Sequence, residues 1–130
     1  MLNIIVATLG DLSQGLTTSA EHIIGKVQHV TPFSVHWGDS HEQARSALGR
    51  LITDRDKGQG VLVLTDLYGG SATNIAMDYL EPGKVDVVTG VNLSMVVSAF
   101  TLPRNVNLSD AAAKLRADGR RAIYTASENL

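Results

Sequence analysis

Five short apolar runs alternating with five helix-like patterns constrain the fold of this chain more than any other feature. The runs are Leu2–Ala7, Gln28–Val35, Gly60–Thr65, Val85–Thr89 and Arg121–Thr125. They lack clean polar–apolar alternation, which suits strands buried on both faces. The order predicts an α/β fold, a doubly wound and mainly parallel sheet with helices on both faces. Right-handed crossovers then bring every strand-to-helix corner to one rim.

The helix patterns carry recognisable ends. The first places Leu16, Ala20, Ile23 and Ile24 on one stripe and stops at Gly25. The second begins at Ser40, with Gln43 at capping-box spacing, and buries Ala44, Ala47, Leu48, Leu51 and Ile52. The third begins at Ser71, carries Ala72, Ile75, Ala76 and Leu80, and gives way to a Pro82-Gly83 turn. The fourth, Leu93 to Leu102, is apolar nearly all round, which predicts burial on more than one side and makes a subunit interface a reasonable cause. The fifth is expected from Leu108 to Ala117, stopping at Gly119.

At 130 residues the chain suits a single domain, residues 1–130, with a full core. A net charge of −2 gives no electrostatic footprint for nucleic acid or anionic membrane. The absence of cysteine excludes disulfides and thiolate metal sites. No two-histidine spacing on one helix face suggests zinc, so neither metal nor cofactor is expected. The first residues lead directly into a strand without signal-peptide character, and no apolar run is long enough to span a bilayer. The expected location is cytoplasmic, without direct membrane insertion.

Three corners concentrate the polar chemistry: Thr8-Leu9-Gly10, His36-Trp37-Gly38-Asp39 and Asp66-Leu67-Tyr68-Gly69-Gly70-Ser71. Asp66 falls where the third strand ends, so rigid backbone holds its carboxylate at the rim. Gly69 and Gly70 remove two Cβ atoms and allow close approach of backbone to an anion. Ser71 is placed to cap the following helix, whose N–H groups favour a phosphate. An ordinary glycine turn with a capping serine fits the same residues.

Four segments extend the reading: IIVATLGDLSQGL at residues 4–16, VLVLTDLYGGSATN at 61–74, VVTGVNLSMV at 87–96 and SDAAAKLRADGRRAIY at 109–124. Together they make the chain resemble, over nearly its whole length, the mannose-family enzyme IIA component of the bacterial sugar phosphotransferase system. The resemblance implies a phosphoryl relay. Such components take a phosphoryl group from the histidine-containing phosphocarrier protein onto their own histidine and pass it to a IIB component. Sugar enters through membrane IIC and IID components, an indirect link. The resemblance also implies a homodimer in which an antiparallel C-terminal strand is exchanged between subunits. It assigns Asp66 to orienting the acceptor and Ser71 to contacting the phosphoryl group, with Thr8, Gly10, Tyr68, Gly69 and Gly70 in the surrounding loop.

The acceptor histidine of that family lies in the corner after the first strand. Here the slot holds Leu9. A relay histidine works because its ordinary pKa, about 6.5, leaves a ring lone pair available near neutrality. Leucine has neither lone pair nor proton, so no arrangement of Asp66 or Ser71 makes it an acceptor. His36 and His41 flank the second corner on the same rim and are the conceivable replacements. A solvated loop position for His36 and a first-turn position for His41 compete with that role. His22 is expected on a polar helix face and His29 at the far end of the second strand. Asn92 is expected to cap the fourth helix, with lining of the site as a secondary role.

A non-catalytic docking or regulatory module for phosphotransferase partners is the alternative function. A receiver-like domain phosphorylated on Asp66 lacks the acidic pair after the first strand. Flavin or nucleotide binding has no supporting glycine pattern.

Overall fold

The computed structural model describes residues 1–129. Four strands form one parallel sheet: β1 (Asn3–Leu9), β2 (Val30–Val35), β3 (Val61–Thr65) and β4 (Val85–Val88), in the order β2-β1-β3-β4. Five helices accompany them: α1 (Leu12–Ile24), α2 (His41–Arg55), α3 (Ser71–Met77), α4 (Leu93–Phe100) and α5 (Leu108–Arg121).

Alternation along the central strands sorts the core into two layers. Ile4 and Val6 of β1 and Leu62 and Leu64 of β3 face a cluster with Ala20, Met95, Val96, Phe100 and Leu115 from α1, α4 and α5. Ile5, Ala7, Val61 and Val63 face the opposite cluster, where Leu48 and Ile52 of α2 meet Ala72, Ile75 and Ala76 of α3. Each fully buried Leu or Ile adds roughly 1.5–3 kcal/mol of transfer free energy. Because both faces are covered, β1 and β3 are apolar without alternation, as their sequence shows.

Local signals set the ends of the elements. Ser40 caps α2 by accepting the Gln43 N–H, and Asn107 caps α5 through the Asp110 N–H. Gly60 enters β3 at φ +86°, and a Cβ there would lie 2.7 Å from the Lys84 carbonyl oxygen.

The structure corrects several sequence expectations. Arg121–Thr125 is not a strand: α5 continues to Arg121, and Ala126–Asn129 forms a 3-10 turn. Gly119 does not stop α5, because its missing Cβ leaves room for Met95, whose Cε would sit 2.7 Å from such an atom. The Gly119 carbonyl also accepts a 3.0 Å bond from Asn92 Nδ2. The all-apolar α4 is covered within the chain, by the sheet and by α1 and α5, so its composition needs no second subunit. The buried stripe of α1 is Ser13, Thr17 and Ala20, while Ile23 is 60% exposed and Ile24 is also exposed. Leu80 lies beyond α3 and is exposed.

Asp118 ties the last turn of α5 to its surroundings. It accepts from Lys114 Nζ at 2.9 Å and pairs with Arg121. The Lys114 hydrogen bond, followed by that of Ser98, holds its carboxyl below the ordinary carboxylate value. A carboxyl lowered in the folded state contributes stability above its unfolded value and loses it as pH falls through the folded value. Asp118→Asn is therefore expected to destabilise the fold at neutral pH, with the difference shrinking in acid, as read by urea denaturation across pH. Gly60→Ala combines a disfavoured φ with a backbone clash and is expected to cost about 2 kcal/mol or more in the same assay.

Candidate functional site at the switch point

The sheet order reverses direction between β1 and β3, which places a topological switch point between them. In open α/β sheets the crevice beyond the strand ends at such a point is the usual binding place. Here β1 ends at Leu9 and β3 ends one residue before Asp66.

Asp66 joins the two ends. Its Oδ2 accepts the backbone N–H of Leu9 at 2.8 Å, and its Oδ1 accepts the N–H of Leu67 at 2.8 Å. Hydrogen bonds to a charged acceptor are each worth about 1.5–3 kcal/mol. The carboxylate thus grips the backbone of residue 9 whatever side chain that residue carries. Leu9 is half-buried and packs beside the α2–α3 layer.

The corner after β1 rests on a buried hydroxyl network. Thr8 is fully buried, and its Oγ1 accepts the Ser13 N–H at 2.7 Å. Ser13 Oγ lies 3.1 Å from the Phe33 carbonyl and 3.2 Å from Ser34 Oγ. Thr8 therefore supports the corner from below instead of lining the open rim as expected. Gly10 donates to the Val35 carbonyl at 2.8 Å, joining this corner to the end of β2.

In the third corner Gly69 adopts φ +83°, a turn conformation that favours glycine. Gly70, not Ser71, is the cap of α3, and no side chain closes it. Ser71 is the first residue of the helix and is exposed. Tyr68 is 78% exposed. It also lines a cleft of about 610 Å³ beside β4, with Met77, Val88, Arg116, Arg120 and Ile123.

His36 and His41 are exposed at the neighbouring corner, where Asp39 Oδ2 accepts the His36 backbone N–H at 2.8 Å. Among the described residues no hydrogen bond joins Asp66 to either ring; its two oxygens accept the Leu9 and Leu67 backbone amides. His22 is exposed, and His29 lies just before β2 with Nε2 2.8 Å from the Ala99 carbonyl. Asn92 caps α4 by accepting the Met95 N–H at 2.9 Å. Sequence reading missed the buried hydroxyls Ser13, Thr65 and Thr73 and the half-buried Ser34. Thr65 and Ser34 stand at or near the ends of apolar runs, a signal that Ser13 and Thr73 lack.

A carboxylate and a Gly-Gly turn, set at the switch point of a doubly wound parallel sheet, define a rim-site protein of the α/β class. The chain belongs to the phosphotransferase-system IIA family: residues 3–116 match the family described as PTS system fructose IIA component. It is similar to the fructose-specific EIIA component of Bacillus subtilis, at 24% identity over the full chain and 90% of that protein. It is 28% identical to the mannose-specific EIIAB component of Escherichia coli over 75% of this chain, which spans only 30% of that longer protein. Among solved structures, EIIA from Streptococcus agalactiae matches with a TM-score of 0.88 and 28% identity, covering 98% of this chain and 99% of that one. The mannose/sorbose-specific IIA subunit of Enterococcus faecalis matches at 0.86 and 27% identity, covering 95% and 93%. The fold and family expectations are thereby met, and IIA components are phosphotransferases of sugar transport. Among the described residues, no helix is long and apolar enough to cross a membrane.

Asp66→Asn keeps the shape but leaves an amide donor facing one of two backbone N–H groups. It is expected to cost about 1–3 kcal/mol in urea denaturation. An unchanged stability would contradict the clamp.

Proposed function

We propose that this chain is the IIA component of a sugar phosphotransferase system with its phosphoryl relay interrupted at residue 9. One observation carries the reading: Asp66 holds the backbone of residue 9 at 2.8 Å, while the side chain there is leucine. The support for the relay, namely Asp66, the Gly69-Gly70 turn and the exposed Ser71, is present around a position without a nucleophile. In an active relay the ring nitrogen at this position attacks phosphorus. The new P–N bond forms as the P–N bond to the donor histidine breaks, and the donor ring leaves as neutral imidazole. Leu9 can form no such bond.

Asp66 is proposed to orient an acceptor placed at residue 9, and Ser71 to contact the phosphoryl group. Gly10, Tyr68, Gly69 and Gly70 shape the loop, with Thr8 acting from beneath. The partners are the histidine-containing phosphocarrier protein and a IIB component, in the cytoplasm, with IIC and IID reached indirectly. The chain acts as one domain, residues 1–130. It forms a homodimer in which the tail strand, absent from the single chain, would form against the β4 edge of a partner. Exposure of Ile123 (77%) and Tyr124 supports that exchange, as does the cleft beside β4.

The second reading is a docking module without chemistry. Leu12, Trp37, Leu67 and Tyr68 are all exposed at the rim, Trp37 by 82%. Exposed aromatic and apolar side chains of this kind favour protein contacts.

Transfer from labelled phosphoenolpyruvate, through the general enzyme and the histidine carrier, separates the two. The chain as written is expected to remain unlabelled, and Leu9→His to label near-stoichiometrically. Failure of Leu9→His to label would favour the docking module. Labelling of the chain as written would move the acceptor to His36, His41 or Asp66.

A further inference from the structure

Of the Asp66–Gly70 side chains, Asp66 is the one that makes hydrogen bonds, to the Leu9 and Leu67 amides. Leu67 and Tyr68 both point into solvent. The Leu67 backbone adds a second tie. Its N–H donates to Asp66 Oδ1 at 2.8 Å, and its carbonyl accepts the Gly70 N–H at 2.9 Å. The same carbonyl lies 2.7 Å from the hydroxyl of Thr73, a fully buried residue of α3.

The Thr73 hydroxyl also lies 2.8 Å from Thr65 Oγ1, at the end of β3. A hydroxyl has one proton, and a carbonyl can only accept. Thr73 is the donor in both contacts, so its single proton is divided between the Leu67 carbonyl, at 2.7 Å, and Thr65 Oγ1, at 2.8 Å. Both Leu67 carbonyl lone pairs are then filled, one by Thr73 and one by Gly70. A continuous series results, from Thr65 to Thr73, through the Leu67 backbone to Asp66, and to the N–H of residue 9.

We infer that Thr73 is a positioning residue for the relay site, setting the distance between the Asp66 loop and the acceptor corner through the Leu67 backbone. It touches neither the phosphoryl group nor residue 9 and acts entirely through Leu67 and Asp66. The inference rests on the proposed relay only for its effect on transfer; the effect on loop geometry stands without it.

Thr73→Val preserves shape and removes the donor, while Thr73→Ser keeps the donor. In the chain as written, Thr73→Val is expected to speed hydrogen exchange at the Leu9 and Leu67 amides about tenfold, the effect of losing one hydrogen bond. Exchange at Val63 and Leu64, inside β3, is expected to stay unchanged, and Thr73→Ser to exchange like the parent. In the Leu9→His background, Thr73→Val is expected to lower kcat for phosphoryl transfer about tenfold with KM for the carrier unchanged. Thr73→Ser is expected to restore it. Should Thr73→Val not fold, Thr73→Cys, with its weak S–H donor, replaces it in both measurements.

Parent-like exchange at Leu9 and Leu67 in Thr73→Val would overturn the proposal. So would faster exchange with unaltered transfer, which would make Thr73 a structural residue only. If Leu9→His accepts no phosphoryl group at all, the relay reading fails, and the exchange result alone decides the geometric claim.

Discussion

A carboxylate at the end of one central strand accepts a backbone N–H from the end of its neighbour, and the rim is built around that contact. Asp66 spans β3 and β1 by taking the Leu9 amide on one oxygen and the Leu67 amide on the other. The two corners it joins lie at the switch point of the sheet, where crossovers diverge to opposite sides. Beneath them sit buried hydroxyls: Thr8, which accepts the Ser13 backbone N–H, on one side, and the Thr65–Thr73 hydroxyl pair on the other. Buried polar groups persist only when paired, and these are paired with the backbone of the loops they support.

This arrangement explains how the side chain of residue 9 can vary without dismantling the corner. The Asp66 bond runs to the main chain of residue 9, so the side chain there is free to change. Leu9 then gains apolar contact beside the α2–α3 layer. The carboxylate has a structural task that does not depend on the side chain at residue 9.

Much of the fold was legible because two periodicities differ. Apolar runs such as Val61–Thr65 mark strands covered on both faces, and Ser40 with Gln43 marks the start of α2. The run Arg121–Thr125 misled for a physical reason. Its Ile-Tyr-Thr pattern is strand-like, yet α5 gains from continuing past Gly119 onto Met95 and Asn92, which takes up the start of the run. On α1 the apolar stripe pointed to Ile23, but small polar residues, Ser13 and Thr17, occupy the close approach to the sheet. Of the site, Asp66 was legible from its place at a strand end. Its grip on a backbone amide was not, because every residue except proline offers the same N–H. The roles of Thr65 and Thr73 were hidden for a related reason, since only tertiary contact brings a helix hydroxyl onto a loop carbonyl.

The claim that Asp66 clamps residue 9 through its backbone is tested most directly by amide hydrogen exchange in the chain and in its Asp66→Ala variant. Loss of the carboxylate is expected to speed exchange at the Leu9 and Leu67 amides together. A Leu9 amide that exchanges as in the parent while Leu67 speeds up would contradict the account, because the carboxylate would then belong to its own loop alone.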